Sequence, residues 1–420
     1  MRAAGAVVGA LAAVSVGFAP GAVALDARSE QWYLGPMQAE KMWKVSTGEG
    51  VKVAVIDSGV NPDTASLKGQ VLTDEVPKKV AYGATRDYTG HGTTMAELIA
   101  GTGTGGGLQG LAPGAKIVPY RIEAQGLPEA EKAKTPGAAE AIRAAADTDA
   151  KIISMSFGSP YADPEEEAAI KYAASKGKLL IAAVGNDGEK DGPEGEIIGY
   201  PAAFPYVLGV SAMDAANNIP KFASSGYYVD LVAPGQDIPG YCKPDFSDYC
   251  PGRRGTSHAT AIASAAAALI WSAHPDWTAN QVTRALIDTA GRKWPKDDPA
   301  KDAGYGTIRP RSVLADPDYD PGPAYSDPLA KWNKVDGEKL VTEIRPSSSD
   351  SSESPSASAS SQASDNTSGD GTAAAGSEPQ ASVDSSGDDD NTLWIALGAA
   401  AAVIVLGGGA FAVLRARRAR

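Results

Sequence analysis

Three polar motifs interrupt an otherwise apolar pattern: VIDSGV around Asp57, GHGT around His91 and GTSHAT around Ser257. A serine hydroxyl attacks poorly unless a neighbouring imidazole accepts its proton. The imidazole in turn works only when a carboxylate fixes its tautomer and steadies the imidazolium. All three side chains are present, each beside glycine, which lets backbone approach a bound chain closely. Taken singly, each has a plainer explanation: an Asp at a strand end is commonly a cap, a lone His is core or surface, and Gly-Thr-Ser often opens a helix. Together, in the chain order Asp, His, Ser, they point to covalent acyl transfer.

The elements that must position these residues are legible in the hydrophobic pattern. From Val51 onward, apolar β-rich runs alternate with Ala-rich helical ones: VKVAVID then HGTTMAELIAG, KIVPYRI then a helix around Ala138 to Ala146, KIISMSF then EEEAAIKYAASKG, LLIAAVG and later YVLGVSAM. Short, nearly continuous hydrophobic strands between helices predict a parallel sheet covered on both faces. The fold class is therefore α/β, with three αβα layers and a mostly parallel sheet. The strand-like segments end at Asp57, Ser156 and Asn186, and sites in such sheets gather beyond the carboxyl ends of the strands. Two helices close the domain. One opens at Ser257 and runs through the alanines to about His274; the other opens at Thr278, where Thr278 and Gln281 form a T-x-x-Q capping box. His274, just before Pro275, reads as a structural residue between helices.

Composition divides the rest of the 420 residues into accessory segments. The net charge of −13 is concentrated in a tract, 346–391, that carries nine acids and no Lys or Arg, leaving −4 for the remainder. This Ser/Ala/Asp/Gly tract has no aromatic residue and cannot bury enough area to offset its ordering entropy, so a flexible linker is expected. The absence of a sustained basic patch argues against nucleic-acid binding. At the N-terminus, Arg2, an apolar stretch from Ala6 to Phe18 and the small residues Ala22-Val23-Ala24 read as a signal peptide over 1–24. Near the other end, Leu393 to Leu414 carries no charge; its length of roughly 22 residues would span about 33 Å as a helix. Arg415, Arg417, Arg418 and Arg420 follow. A transmembrane helix over 392–414 with a basic cytoplasmic tail over 415–420 is expected, and the positive-inside rule puts everything from Leu25 to Asn391 outside the membrane.

Within that exported part, residues 25–50 form an N-terminal extension too short to be a separate pro-domain, expected either to wrap the main domain or to act as a short pro-segment. The catalytic domain is expected over 51–315. Residues 316–345 are weakly patterned, and the sequence leaves open whether they pack on the domain or lead to the stalk. Cys242 and Cys250 are the only cysteines. An oxidising compartment and a shared loop favour a local disulfide over two free thiols, although sequence does not show that the sulfurs meet.

With DSG at Asp57, GHGT at His91, SMSFGS at Ser154–Ser159, AVGNDG at Ala183–Gly188 and GTSHA at Gly255–Ala259, the chain resembles the subtilisin-like serine proteases from about Val51 to Ala290. The segment before the first strand, the cysteine loop, the stalk and the terminal apolar run are similar to the mycosins, membrane-bound members associated with type VII secretion. The resemblance implies that Ser257 is the nucleophile, His91 the general base and then acid, and Asp57 the residue orienting His91. Asn186 would be the side-chain donor of the oxyanion hole. Ser156, Phe157 and Gly158 would pair with substrate backbone, facing Ala183 to Gly185 across the pocket for the side chain before the scissile bond.

It also implies protein or peptide substrates, type VII secretion machinery as a partner, and no required cofactor. Calcium is often bound by such folds, but no loop here specifies it. The chain departs from the family pattern at Thr94 and Glu97, where HGTHVAG reads HGTTMAE, and at His258 and Ala261, where GTSMAxP reads GTSHATA. Two other functions compete. A catalytically quiet scaffold of a secretion complex would keep the fold without the reaction. An α/β esterase would need G-x-S-x-G and the order Ser, acid, His, which this chain lacks.

Overall fold

The structure is a computed structural model that describes residues 26–122, 126–190, 197–331 and 345. The chain divides into two units, 1–351 and 352–420, and every described residue belongs to the first. The signal peptide, the acidic linker, the transmembrane helix and the basic tail expected from sequence lie outside the described residues. Among the described residues no helix is long and apolar enough to cross a membrane.

In chain order the elements are α1 (Ala39–Met42), β1 (Lys52–Asp57), α2 (His91–Ala100), β2 (Lys116–Arg121), α3 (Glu129–Lys132), α4 (Ala138–Ala146), β3 (Ile152–Met155) and α5 (Pro164–Ser175). There follow β4 (Leu179–Ala183), β5 (Val207–Met213), β6 (Leu231–Pro234), β7 (Ile238–Tyr241), β8 (Tyr249–Arg253), α6 (Thr256–Ala273), α7 (Ala279–Asp288) and α8 (Pro310–Leu314). Strands β1 to β6 form one sheet in the order β2-β1-β3-β4-β5-β6, and each neighbouring pair is parallel. Strands β7 and β8 make a separate antiparallel hairpin.

Both faces of the sheet are apolar because alternate residues of each strand enter different cores. Val53, Val55, Ile117, Ile152 and Ile181 pack on one side with α2 and α6. Ala54, Ile56, Val118, Ile153 and Leu180 pack on the other with α4 and α5. The continuous hydrophobic strands in the sequence are the signature of this double coverage. Helix α6 is buried from Thr256 to Trp271, as a helix hydrophobic on all sides must be. Its internal hydroxyl at Ser264 donates to Ser154 Oγ at 2.9 Å or to the Thr260 carbonyl at 2.8 Å, so a polar group deep in the core is not left unpaired.

Strand β1 has β2 on one side and β3 on the other. The chain therefore changes direction across the sheet at β1, which opens a crevice beyond the carboxyl ends of β1 and β3. Asp57 ends β1, and Ser156 follows β3.

The flanks are built into the domain. Ala27, Tyr33, Ala39 and Met42 enter the α2/α6 core, and the Trp43 indole donates to the Leu111 carbonyl at 2.8 Å. On the other side, Leu329 joins the same core. The side chains of Thr278, Gln281 and Arg284 on or capping α7 donate to the carbonyls of Ala324, Gly322 and Ser326. The segment that sequence left undecided therefore packs on the domain as far as Lys331. The Thr278–Gln281 capping box is present, and His274 stacks on Trp277 with ring centroids 3.9 Å apart.

Candidate active site

Asp57 reaches the crevice because it is the last residue of β1, and its carboxylate is almost fully buried there. His91 is the first residue of α2, after Gly90 at φ 76°, a left-handed conformation in which a side chain would also press on Tyr241 Cβ. His91 Nδ1 lies 2.7 Å from Asp57 Oδ1. The same oxygen accepts from the Ser58 amide, and the Ser58 hydroxyl oxygen lies 3.1 Å from it. With Nδ1 as the donor, Nε2 is the basic nitrogen.

The loop before His91 is fixed by Asp87, a residue that sequence reasoning missed. Asp87 Oδ1 accepts from Ser58 Oγ and from the amides of Thr89 and Gly90, and Oδ2 accepts from the Thr93 amide and hydroxyl. The only signal was its place four residues before His91, in a run of turn formers.

Burial alone would lower the His91 pKa, but the charge and hydrogen bond of Asp57 outweigh it and hold the imidazole above its ordinary value of 6.5. The side chain remains 37% exposed, open to a substrate.

Helix α6 opens one residue earlier than the sequence indicated, at Thr256. Asn186 Oδ1 accepts the Thr256 amide at 2.9 Å, satisfying from outside an N–H that no helical carbonyl can reach. That contact also orients the Asn186 amide: with its oxygen committed to Thr256, its NH2 is the group left to donate. Ser257 sits in the first turn of the same helix, where unsatisfied N–H groups and the helix dipole favour negative charge. Its hydroxyl donates to the Ser156 carbonyl at 3.1 Å, and Ser156 Oγ returns a bond of 3.1 Å to the Ser257 carbonyl. In this rotamer Ser257 is not hydrogen-bonded to His91. It lies beside Ser156, which shares a cavity wall with His91.

That cavity has a volume of about 790 Å³. It begins at Asp57 and His91 and continues past Ser156, Phe157 and Gly158. Ala183, buried at the end of β4, and Gly185, whose amide donates to the Thr256 hydroxyl oxygen at 3.3 Å, fall outside its lining. Of the residues expected to hold substrate, Ser156, Phe157 and Gly158 line this cavity, and Ala183 and Gly185 do not.

The subtilase family model matches residues 48–307, more than half of the chain. The chain belongs to the subtilase family. Subtilisin Savinase of Lederbergia lenta is 32% identical over 271 residues, which are 63% of this chain and 92% of that one. The minor extracellular protease Epr of Bacillus subtilis is 32% identical over 299 residues, or 69% of this chain, which spans 42% of Epr. Among solved structures, MycP1 from Mycobacterium smegmatis aligns with a TM-score of 0.55 and 25% identity, covering 70% of this chain and 86% of that one. The MycP3 protease from the type VII (ESX-3) secretion system aligns at 0.55 and 29% identity, covering 70% and 90%. The mycosin likeness expected from sequence is thus present among the structural neighbours.

Two of the four places where this subtilase departs from the usual motifs, Thr94 and Glu97, share a physical reason. Cys242 and Cys250 form a disulfide across the ends of β7 and β8, with Cα atoms 5.4 Å apart. The hairpin so closed points Tyr241 and Tyr249 at Glu97. Glu97 Oε1 accepts from Thr64 Oγ1 at 2.7 Å and Tyr241 OH at 3.0 Å, and Oε2 accepts from Tyr249 OH at 2.6 Å. Thr94 Oγ1, one turn nearer His91, accepts the Tyr241 amide at 3.1 Å. The two substitutions in the His91 helix are therefore the docking points of the hairpin.

Burial raises the Glu97 pKa, and its hydrogen bonds pull it back. Glu97→Ala would take the acceptor from Thr64 and from one of the two tyrosines, whose hydroxyls lie 2.6 Å apart so that one can donate to the other, and is expected to cost about 3 kcal/mol, read as a drop in thermal midpoint. Glu97→Gln keeps an acceptor oxygen and should lose clearly less.

His258, next to the serine, is 5% exposed, and its pKa is pushed down to about 3 by burial and then by the positive charges of His91 and Arg253. It is neutral at working pH, and its Nδ1 has no hydrogen-bond partner among the described residues. Among the described residues no group of three or more His, Cys, Asp or Glu side chains is placed to hold a metal ion.

Proposed function

We propose that this subtilase is a membrane-anchored, extracytoplasmic serine endopeptidase that works through an acyl-enzyme and is associated with type VII protein secretion. The observation that carries the chemistry is the 2.7 Å bond from Asp57 to His91 at the mouth of a cavity that reaches Ser156, the hydrogen-bond partner of Ser257.

In the reaction the Ser257 hydroxyl turns from the Ser156 carbonyl to His91 Nε2. It gives up its proton there and attacks the scissile carbonyl carbon. The oxygen of that carbonyl gains the negative charge and is met by Asn186 Nδ2 and the Ser257 amide. His91 then passes the proton to the departing amine, and the same steps with water in place of the serine release the acyl group. Asp57 stays ionised and stabilises the imidazolium. The Asn186 donor acts on charge that exists only in the transition state. Asn186→Ala is accordingly expected to lower kcat by roughly 100- to 1,000-fold with KM little changed, as steady-state kinetics on a fluorogenic peptide would record.

The anchoring and secretion parts of the reading rest on the apolar run Leu393–Leu414 with its arginine tail, and on the likeness to MycP1 and MycP3. The deciding experiment is labelling of the full chain with a fluorophosphonate and mapping of the adduct. An adduct on Ser257 that is lost in His91→Ala supports the endopeptidase. A folded chain that never labels favours the quiet scaffold.

A further inference from the structure

The cavity does not end at the catalytic residues. Beyond Phe157 and Gly158 it is lined by Ser159 and Tyr200, by Gly137 and Ala138 at the start of α4, and by Glu166 in the first turn of α5. Glu166 is 8% exposed, and its Oε1 has no hydrogen-bond partner among the described residues.

The charged groups nearby do not compensate it. Asp163, three residues before, adds a second negative charge. Lys171 pairs with Glu167 at 2.7 Å, and the Arg143 guanidinium of α4 lies over the Tyr172 ring. Burial followed by Asp163 pushes the Glu166 carboxyl up to about 7. A buried carboxyl without a partner costs stability, and an ordinary helix surface would place it in water. Here it borders a cavity continuous with the reacting groups.

Resting on the endopeptidase reading above, we propose that Glu166 is a specificity-determining residue that receives a lysine or arginine side chain of the substrate at one position away from the scissile bond. An extended peptide laid along Ser156–Ser159 alternates its side chains between two sides, so one of them is carried between α4 and α5 to this carboxyl. The cation gains a charge-assisted hydrogen bond and supplies the partner that Glu166 lacks among the described residues.

The test uses the full chain and a positional-scanning fluorogenic peptide library, followed by matched peptides with lysine or norleucine at the selected position. The expected result is one position where lysine exceeds norleucine in kcat/KM by at least about tenfold. In Glu166→Gln that ratio falls about tenfold, and in Glu166→Leu norleucine becomes the better residue. Both variants should unfold no lower than the wild type, because they remove an unpaired buried carboxyl. An active enzyme that is indifferent at every such position, or whose lysine preference survives Glu166→Leu, overturns the assignment and leaves the Ser257 chemistry standing. A folded chain that cleaves no peptide, and whose fluorophosphonate labelling no peptide slows, overturns the endopeptidase reading and this inference with it.

Discussion

Ser257→Ala is expected to reduce peptide hydrolysis by about a million-fold, to the residue of catalysis that binding and the oxyanion donors supply without a nucleophile. The variant should fold normally. The Ser257 hydroxyl makes one 3.1 Å bond to the Ser156 carbonyl, and the returning bond from Ser156 goes to the Ser257 backbone carbonyl, which alanine keeps. The Asn186–Thr256 contact that starts α6 is also untouched. Active-site titration alongside thermal unfolding checks both parts. Because Ser257 and His91 act as a unit, Ser257→Ala combined with His91→Ala should be no slower than Ser257→Ala alone. Additive losses in the double variant would mean that the two side chains do not work on the same proton. A Ser257→Ala protein that keeps its biological role would point to scaffolding.

Asp57→Asn should lower kcat by on the order of 10,000-fold while leaving the backbone in place. The amide can still meet His91 Nδ1, but it can hold the wrong tautomer and cannot stabilise an imidazolium.

The pH profile carries a second and independent signature. His91 must be neutral to take the serine proton. Wild-type activity is therefore lost as pH falls through the His91 pKa, which burial lowers but Asp57 raises by more, to a value above 6.5. Without the carboxylate, burial and the Arg253 charge act downward against the Asp87 charge alone, a smaller influence than burial, so the acid limb of the residual activity should move to lower pH. For stability the sign is opposite. The charged pair stabilises the fold below 6.5 and loses that contribution as pH rises through the raised pKa. An acid limb that stays in place in Asp57→Asn would show that another group sets it.

Much of this site could be read before any coordinates. Asp57, His91 and Ser257 stood out because hydrogen-bonding side chains with glycine neighbours broke runs that were otherwise apolar. The parallel, doubly covered sheet followed from strands with no polar face, as in Val53–Ile56 and Ile152–Met155. The capping box at Thr278 needed only local chemistry and is present. Signals of this kind survive because they are satisfied within a few residues or repeat along one element.

What sequence could not supply were the contacts between segments far apart in the chain. Glu97 stood only as a departure from the family motif until the hairpin that carries Tyr241 and Tyr249, more than 140 residues later, was folded onto it. Asp87 looked like one acid among many. Only the return of Thr93 and the approach of Ser58 make it the anchor of the His91 loop. Glu166 sat in a helix whose neighbours Glu165 and Glu167 face water or a lysine, and periodicity alone did not separate it from them. Ala183 and Gly185 were placed at the pocket by their motif, and they are not among the residues that line the cavity. The sequence alone thus determined which chemistry the chain can carry and the layered sheet that presents it, because hydrophobic period and residue type are local properties. The tertiary structure decided which buried carboxylates are satisfied and which is left facing the cleft, because that depends on what the rest of the chain brings within hydrogen-bond distance.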